Sequence, residues 1–163
     1  PYPGGKPIDD LSKGGDDSRY SFPIAHVDGN PYDMSFSGLK TAVINLVHNE
    51  EQRGNTINKE NLCTTFQNRV VGIITKKTMK AIKEYKVSNL VVAGGVSANS
   101  GLREKLTEEC QKENLHISFP ELKYCTDNAT MIAAAAYFAY QKNIFADLTL
   151  NAMATDTIYK EWK

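Results

Sequence analysis

The chain has 163 residues, which fits one domain or a piece of a larger protein. Lysine plus arginine equals aspartate plus glutamate, with 19 residues in each pair, so no global positive charge indicates a nucleic-acid-binding protein. Three scattered cysteines and the lack of a membrane-length apolar run exclude a disulfide framework and a membrane span, and favour a cytoplasmic protein.

The N-terminal part is predicted to contain helices and one β-hairpin. A glycine-rich turn precedes a short helix near Ile8–Lys13. Two β-prone runs, Tyr20–Ile24 and Tyr32–Phe36, flank a segment with strong turn chemistry, which predicts a hairpin. Helices are then expected over Ser37–Glu51 and Lys59–Tyr85. The apolar residues of the longer helix that recur at helical spacing are expected to face the core: Leu62, Phe66, Val70, Ile73, Ile74, Ala81, Ile82 and Tyr85.

The second half alternates strands and helices. The expected elements are a buried strand Asn89–Ala93, a helix Asn99–Glu113 with Leu102, Leu106 and Cys110 inward, a strand His116–Pro120, and an alanine-rich helix Asp127–Gln141. This order predicts a helix-rich α/β fold with parallel strand pairing. We expect three parts: a hairpin and helical part over residues 1–88, a βαβα part over 89–145, and a tail over 146–163 that docks on a partner domain.

One candidate site lies where the first strand ends. Gly94 and Gly95 follow that strand, and open α/β sheets bind ligands at such carboxyl ends. The turn alone favours a structural interpretation, with Ser97 or Asn99 capping the next helix. The functional alternative is that Asn99 donates hydrogen bonds to a ribose or base. Arg103, one turn further on, is expected on a solvated face.

Three other segments carry candidate residues. Asp127 either complements the dipole at a helix start or provides a hard oxygen ligand to a metal, with its partners elsewhere. Gly5 and Asp9 form either a surface turn or a contact with a ligand's sugar hydroxyls. Ser37 and Lys40 open a helix, where Lys40 lies near phosphate or RNA, or in solvent.

Five motifs, taken together and in order, resemble the C-terminal half of the bacterial TsaD family. These are the tRNA N6-adenosine threonylcarbamoyltransferases, formerly labelled O-sialoglycoprotein endopeptidases or glycoproteases. The resemblance covers essentially the whole chain. The motifs are Tyr2-Pro3-Gly4-Gly5 with Ile8-Asp9, Ser35-Phe36-Ser37-Gly38-Leu39-Lys40-Thr41, Ala93-Gly94-Gly95-Val96-Ser97-Ala98-Asn99, Leu102-Arg103, and Cys125-Thr126-Asp127-Asn128-Ala129 with Met131-Ile132-Ala133.

The resemblance implies one incomplete lobe of an actin/Hsp70/sugar-kinase-like (ASKHA) fold. It implies transfer of a threonylcarbamoyl group from threonylcarbamoyl-AMP to N6 of the adenosine beside the tRNA anticodon. By motif position, Gly5, Asp9 and Asn99 contact the donor, with Gly94, Gly95, Ser37 and Lys40 as weaker candidates. Asp127 ligates one divalent metal ion per full-length subunit, either iron or zinc, with magnesium as a further option. TsaB- and TsaE-type proteins are the implied partners.

The chain departs from the family pattern in two ways. Lys6 stands where the family usually has proline, with Pro7 just after it. The family's His-x-x-x-His metal pair belongs to an N-terminal half that this sequence does not include, so we expect a fragment without transfer activity of its own. Three alternatives stay open: an actin-like ATPase or sugar-kinase lobe, a metalloprotease as the former label states, and a non-catalytic interaction module.

Overall fold

The computed structural model describes residues 3–24, 27–152 and 154. The chain divides into two compact units, Pro1–Cys125 and Thr126–Lys163. The helices and strands of the described residues are α1 (Gly5–Ser12), α2 (Ser37–Gln52), α3 (Lys59–Tyr85), β1 (Asn89–Val91), α4 (Ser100–Lys112), β2 (His116–Ser118) and α5 (Ala129–Gln141). Within those ranges, no helix combines the length and the apolar character that spanning a membrane requires.

The first unit is helix-rich and contains a small parallel sheet, as the alternation of strands and helices predicts. β1 pairs with β2 in parallel, with Leu90 opposite Ile117 at the centre of the register. α4 connects the two strands, as parallel pairing requires a crossover. The coarse α/β prediction is therefore confirmed, whereas the three-part division of the chain stays a prediction.

The core of this unit lies between the sheet and the helices α3 and α4. Leu102, Leu106 and Cys110 of α4 are buried, as predicted from their spacing. They pack in two neighbouring clusters with residues of α3, and Leu90 and Ile117 of the sheet contact both clusters. Successive side chains of a strand point to opposite faces of the sheet, and the face that carries Leu90 and Ile117 packs against the helices. The prediction of a buried strand over Asn89–Ala93 is wrong in its extent and burial: the strand ends at Val91, which is 75% exposed, and only Leu90 of the strand is partly buried.

The buried face of α3 differs from the predicted one. Its most buried residues are Thr64, Thr65, Gln67, Val71, Thr75, Met79 and Ile82. Of the predicted core residues, Ile82 belongs to this set and Ile74 is partly buried against the core, whereas Tyr85 is 68% exposed. The face is rotated because Thr64 and Gln67 form hydrogen bonds with α1, so polar side chains occupy inward positions near the start of the helix.

The predicted hairpin does not form in residues 20–24 and 27–36, which contain a turn and no strand. The turn was expected over Asp28-Gly29-Asn30-Pro31, but it lies two residues later, where the backbone amide of Asp33 donates to the Asn30 carbonyl at 2.9 Å. Two five-residue runs form too small a sheet to be stable alone. The segment instead contacts α3, where Lys77 donates to the Pro31 carbonyl at 2.5 Å and Tyr32 donates to Glu84.

The second unit contains α5 and part of the tail. None of the residues of α5 is buried, and its large side chains Met131, Ile132, Tyr137, Phe138 and Tyr140 are exposed. After the helix, Phe145 packs edge-on against Tyr140, with ring centroids 5.9 Å apart. Residues 146–152 and 154 form no helix or strand, and the rest of the predicted tail lies outside the described residues, as does Tyr2 of the first motif.

Candidate functional site

A carboxylate from α1 lies at the N-terminus of α4. Asp9 accepts hydrogen bonds from the Ser100 backbone amide, at 3.2 Å to Oδ1 and 3.1 Å to Oδ2. The Ser100 hydroxyl donates to Oδ1 at 2.8 Å. A helix N-terminus has unpaired amides and attracts negative charge, so this position suits an ionised Asp9. Two motifs that are distant in sequence therefore meet here.

Asn99 joins the same contact. Its Oδ1 accepts from the Leu102 amide at 2.8 Å, which confirms that Asn99 caps α4. Its amide nitrogen Nδ2 donates to Asp9 Oδ1 at 3.2 Å and to Gln67 Oε1 at 2.7 Å. An asparagine amide has two donor hydrogens, and both are therefore used within the protein.

Gln67 and Ser12 complete a ring of hydrogen bonds. Gln67 Nε2 donates to Ser12 Oγ at 2.7 Å, and Ser12 Oγ donates to the Asp9 backbone carbonyl at 2.8 Å. The ring therefore runs from the Asp9 backbone through Ser12, Gln67 and Asn99 to the Asp9 carboxylate. We call Asp9, Ser12, Gln67, Asn99 and Ser100 the Asp9 network.

Two opposing effects act on the Asp9 carboxyl. Partial burial by itself raises the pKa of Asp9, because it disfavours the charged form. The hydrogen bonds from Ser100, the nearby Gln67 side chain and the positive charge of Lys13 together outweigh burial and hold the pKa of Asp9 below its ordinary value. Asp9 is consequently an ionised acceptor at neutral pH.

Two glycines near the Asp9 network, Gly5 and Gly94, have open surroundings among the described residues. Gly5 lies one helical turn before Asp9, and a Cβ placed on Gly5 would meet no atom within 4 Å. Gly94 has a φ of +89°, a conformation that favours glycine, and a Cβ there would also meet nothing within 4 Å. Gly95, which is exposed, follows it and begins a 3-10 turn, Gly95–Ala98, that leads into Asn99. A ligand can therefore approach the backbone at Gly5 and Gly94.

Two further candidate residues, Ser37 and Lys40, lie on α2 and do not belong to the Asp9 network. Ser37 and Lys40 are exposed, and neither is hydrogen-bonded to Asp9 or Asn99 in the part of the chain that the structure describes. Ser37 accepts from the Thr41 hydroxyl through its carbonyl at 3.2 Å, which is a contact within the helix. Their predicted roles stay predictions.

Arg103 is not on a solvated face as expected. Its guanidinium donates to the Ser97 carbonyl at 2.5 Å and to the Pro120 carbonyl at 2.7 Å. It also contacts Cys125 Sγ at 3.3 Å and lies over the Phe119 ring, 4.9 Å from the centroid. Arg103 thereby connects the turn that leads into Asn99 with the segment that follows β2.

Asp127 belongs to the second unit and lies just before α5. Asn128, not Asp127, caps the helix, accepting from the Met131 amide at 3.0 Å, so Asp127 is outside the first helical turn where it was expected. Its side chain is exposed. Among the described residues no three histidine, cysteine or acidic side chains cluster as metal ligands do. One carboxylate does not make a metal site, so a metal ion at Asp127 requires ligands from outside the described residues.

Sequence reasoning missed three members of the Asp9 network: Ser12, Gln67 and Ser100. Ser12 and Ser100 show no pattern that distinguishes them from surface serines. Gln67 has a weak signal, because Gln67, Val71 and Thr75 recur every four residues on one helix face together with Met79. The sequence does not predict burial of this face, because two of its four residues, Gln67 and Thr75, are polar.

Comparison with known proteins identifies the family. A family model described as "TsaD: tRNA N6-adenosine threonylcarbamoyltransferase" matches residues 1–134. A relative of that name from Staphylococcus saprophyticus is 49% identical over 150 residues, which is 92% of this chain and 44% of the relative. One from Staphylococcus haemolyticus is 50% identical over 151 residues, or 93% of this chain and 44% of the relative. The chain thus spans less than half the length of these relatives. It belongs to the TsaD family of tRNA N6-adenosine threonylcarbamoyltransferases.

Proposed function

We propose that this chain is part of an enzyme that transfers a threonylcarbamoyl group from threonylcarbamoyl-AMP to N6 of the adenosine beside the anticodon of tRNA. The chain would form one lobe of an ASKHA-type fold and act in the cytoplasm with TsaB- and TsaE-type partners. One observation carries the proposal. The family resemblance assigns Asp9 and Asn99 to the donor, and Asn99 Nδ2 lies 3.2 Å from Asp9 Oδ1 although 90 positions separate the two residues in sequence.

The hydrogen bonds of Asp9 indicate which atom is available to the donor. Among the described residues, Oδ1 accepts from Ser100 N, Ser100 Oγ and Asn99 Nδ2, and Oδ2 accepts from Ser100 N. A carboxylate oxygen has further acceptor capacity beyond one bond. A ribose hydroxyl of the adenylate can therefore donate to Oδ2, and the ionised state of Asp9 strengthens that bond.

Asn99 has less free capacity. Its donor hydrogens are both engaged, and its Oδ1 already accepts from the Leu102 amide. Asn99 can accept one more hydrogen bond through Oδ1, or it can exchange its longer bond to Asp9 for one to the donor. Gly5 and Gly94 would provide backbone atoms for close contact, since no atom of the described residues lies within 4 Å of a Cβ built on either.

The test uses the full-length protein that contains this segment, threonylcarbamoyl-AMP and a tRNA transcript. Asp9→Asn should weaken donor binding, measured by calorimetry, by about tenfold or more, because a hydrogen bond to a charged group is worth about 1.5–3 kcal/mol. Asp10→Asn on the same helix is the matched control, since Asp10 is exposed and its ion pairs among the described residues are with Lys6 and Lys13. Asp127→Ala should abolish transfer and leave donor binding intact.

Several results would contradict the proposal. A wild-type protein that transfers no threonylcarbamoyl group but phosphorylates a sugar or hydrolyses ATP would support the kinase or ATPase alternative. Peptide cleavage that disappears in Asp127→Ala would support the protease alternative. Equal effects of Asp9→Asn and Asp10→Asn on donor binding would remove Asp9 from the donor site.

A further inference from the structure

Gln67 is a polar residue in an otherwise core-facing position of α3. Its exposed fraction is only 8%, and both ends of its side-chain amide are hydrogen-bonded. Burying an amide costs free energy unless its donors and acceptor are paired. Here the hydrogen-bond partners are Ser12 and Asn99, and each of them also donates a hydrogen bond to Asp9.

The orientation of the Gln67 amide follows from two backbone contacts. The Ser12 hydroxyl donates to the Asp9 carbonyl, so its oxygen is an acceptor for Gln67 Nε2. Asn99 Oδ1 accepts from the Leu102 amide, so Asn99 presents its amide hydrogens to Gln67 Oε1. Because both ends are fixed by backbone groups, Gln67 can satisfy its polar atoms in only one orientation.

A steric observation also points to this contact. A Cβ on Gly101 would lie 2.8 Å from Gln67 Nε2 and 3.6 Å from Asn99 Oδ1. Real Cβ atoms essentially never show the first of these distances, so a side chain at position 101 would displace the Gln67 amide. The glycine therefore leaves the space in which the Gln67 amide reaches the start of α4.

We infer that Gln67 is a positioning residue: it orients the Asn99 amide and, through it, the Asp9 carboxylate. Asp9 Oδ2 and Asn99 Oδ1, which can accept further hydrogen bonds, then face the adenylate donor. The inference rests on the proposed function for the identity of the donor. Gln67 acts chiefly through Asn99, and its side chain also lies near the Asp9 carboxyl. Without it, the Asn99 amide loses its shorter hydrogen bond of 2.7 Å and retains only the 3.2 Å bond to Asp9.

The first measurement compares Gln67→Leu with wild type in the full-length protein. We expect threonylcarbamoyl-AMP to bind about tenfold more weakly, with a matching rise in KM and little change in kcat, because a misoriented Asn99 affects binding of the donor. Thr75→Val is the matched control on α3, since Thr75 is 4% exposed and its hydroxyl has no partner among the described residues. This control should bind the donor as wild type does.

The second measurement tests whether Gln67 acts through Asn99. In an Asn99→Ala background, the further change to leucine at position 67 should weaken donor binding by much less than it does alone, since the residue through which it acts is absent. Full additivity of the two effects would overturn the inference. A fall in kcat without a change in KM would also overturn it.

The third measurement does not depend on activity. In the ¹⁵N-labelled chain, the Asn99 side-chain NH₂ protons should exchange with solvent about tenfold faster in Gln67→Leu than in wild type or Thr75→Val. Unchanged exchange would overturn the inference. If wild type transfers no threonylcarbamoyl group, the proposed function fails, and this exchange measurement still decides the role of Gln67. If wild type is active and Gln67→Leu behaves like Thr75→Val, only the inference fails.

Discussion

The stability of the first unit should depend on the charge of Asp9, which can be tested on this chain with Asp9→Asn. The native carboxylate accepts from three donor groups: the Ser100 amide, the Ser100 hydroxyl and the Asn99 amide. An asparagine at position 9 can place its oxygen at the Oδ1 position and keep these contacts. Its NH₂ group then stands where Oδ2 accepts from Ser100 N, and the negative charge at the start of α4 is lost.

The expected cost can be worked out from these contacts. A hydrogen bond to a charged group is worth about 1.5–3 kcal/mol and a neutral one about 0.5–1.5 kcal/mol. Converting three bonds from charged to neutral therefore removes roughly 3 kcal/mol before screening, and the dipole of α4 adds about 0.3–1 kcal/mol. Asp9 is only half-buried, so solvent screening reduces this free-energy difference. We expect Asp9→Asn to lower the free energy of unfolding by about 2 kcal/mol at neutral pH.

The dependence on pH has a defined direction. The pKa of Asp9 is lower in the folded chain than in the unfolded chain, where an aspartate has a value of about 3.9. The carboxylate therefore stabilises the fold above about pH 4, and this contribution is lost as the pH falls through the lower, folded-state pKa. Urea denaturation followed by far-ultraviolet circular dichroism should show the full difference between wild type and Asp9→Asn at neutral pH, and that difference should shrink as the pH falls from about 4 through the folded-state pKa.

Asp10→Asn is the control for this experiment, because Asp10 is on the same helix and, in the part of the chain that the structure describes, forms exposed ion pairs with Lys6 and Lys13. Its free energy of unfolding should stay close to that of wild type over the same pH range. The reasoning would be refuted by an effect of Asp9→Asn that is equally large at acidic and neutral pH, or by an equal effect of Asp10→Asn.

Two further predictions concern the packing around the Asp9 network. Gly15→Ala should lower the free energy of unfolding by about 1–3 kcal/mol, because its Cβ would overlap the Glu60 carbonyl and Thr64 Oγ1, whereas Gly5→Ala, with open space beside it, should change it far less. Urea denaturation of the two variants side by side checks this, and equal losses would contradict it. Arg103→Met should cost about 2 kcal/mol in the same assay, since it removes charged donors to the Ser97 and Pro120 carbonyls. Arg103→Lys should recover less than half of that, because one ammonium cannot reproduce the planar fork, and full recovery would show that charge alone matters.

Features encoded by neighbouring residues were predictable from the sequence. Asn99 follows a glycine turn and precedes an apolar-periodic run, and it caps α4 as that pattern indicates. The inward positions of Leu102, Leu106 and Cys110 follow from their spacing on one helix. The family resemblance, which depends on five ordered motifs, is confirmed by the comparisons.

Features that depend on distant partners were not predictable in the same way. Local propensity predicts strands in the two β-prone runs before α2. The structure has no strand there, and the second run instead contacts α3, which local propensity cannot predict. Arg103 resembled a solvated helix residue because its acceptors, the Ser97 and Pro120 carbonyls, are backbone atoms without a sequence signature. Likewise, burial of Gln67 depends on Ser12, 55 positions earlier in the chain.

The Asp9 network also explains how a helix as short as α1 can hold a functional residue in place. Eight residues are too few for a stable isolated helix in water, so α1 depends on contacts with other elements. Thr64 Oγ1 donates to the Ser12 carbonyl at 2.7 Å and Gly15 packs on the backbone of α3, so the C-terminal end of α1 is fixed to the longest helix of the chain. Asp9 in turn attaches α1 to the start of α4. The same hydrogen bonds that order α1 therefore set the position of the Asp9 carboxylate, and a substitution that loosens α1 should impair donor binding even where it touches no donor atom.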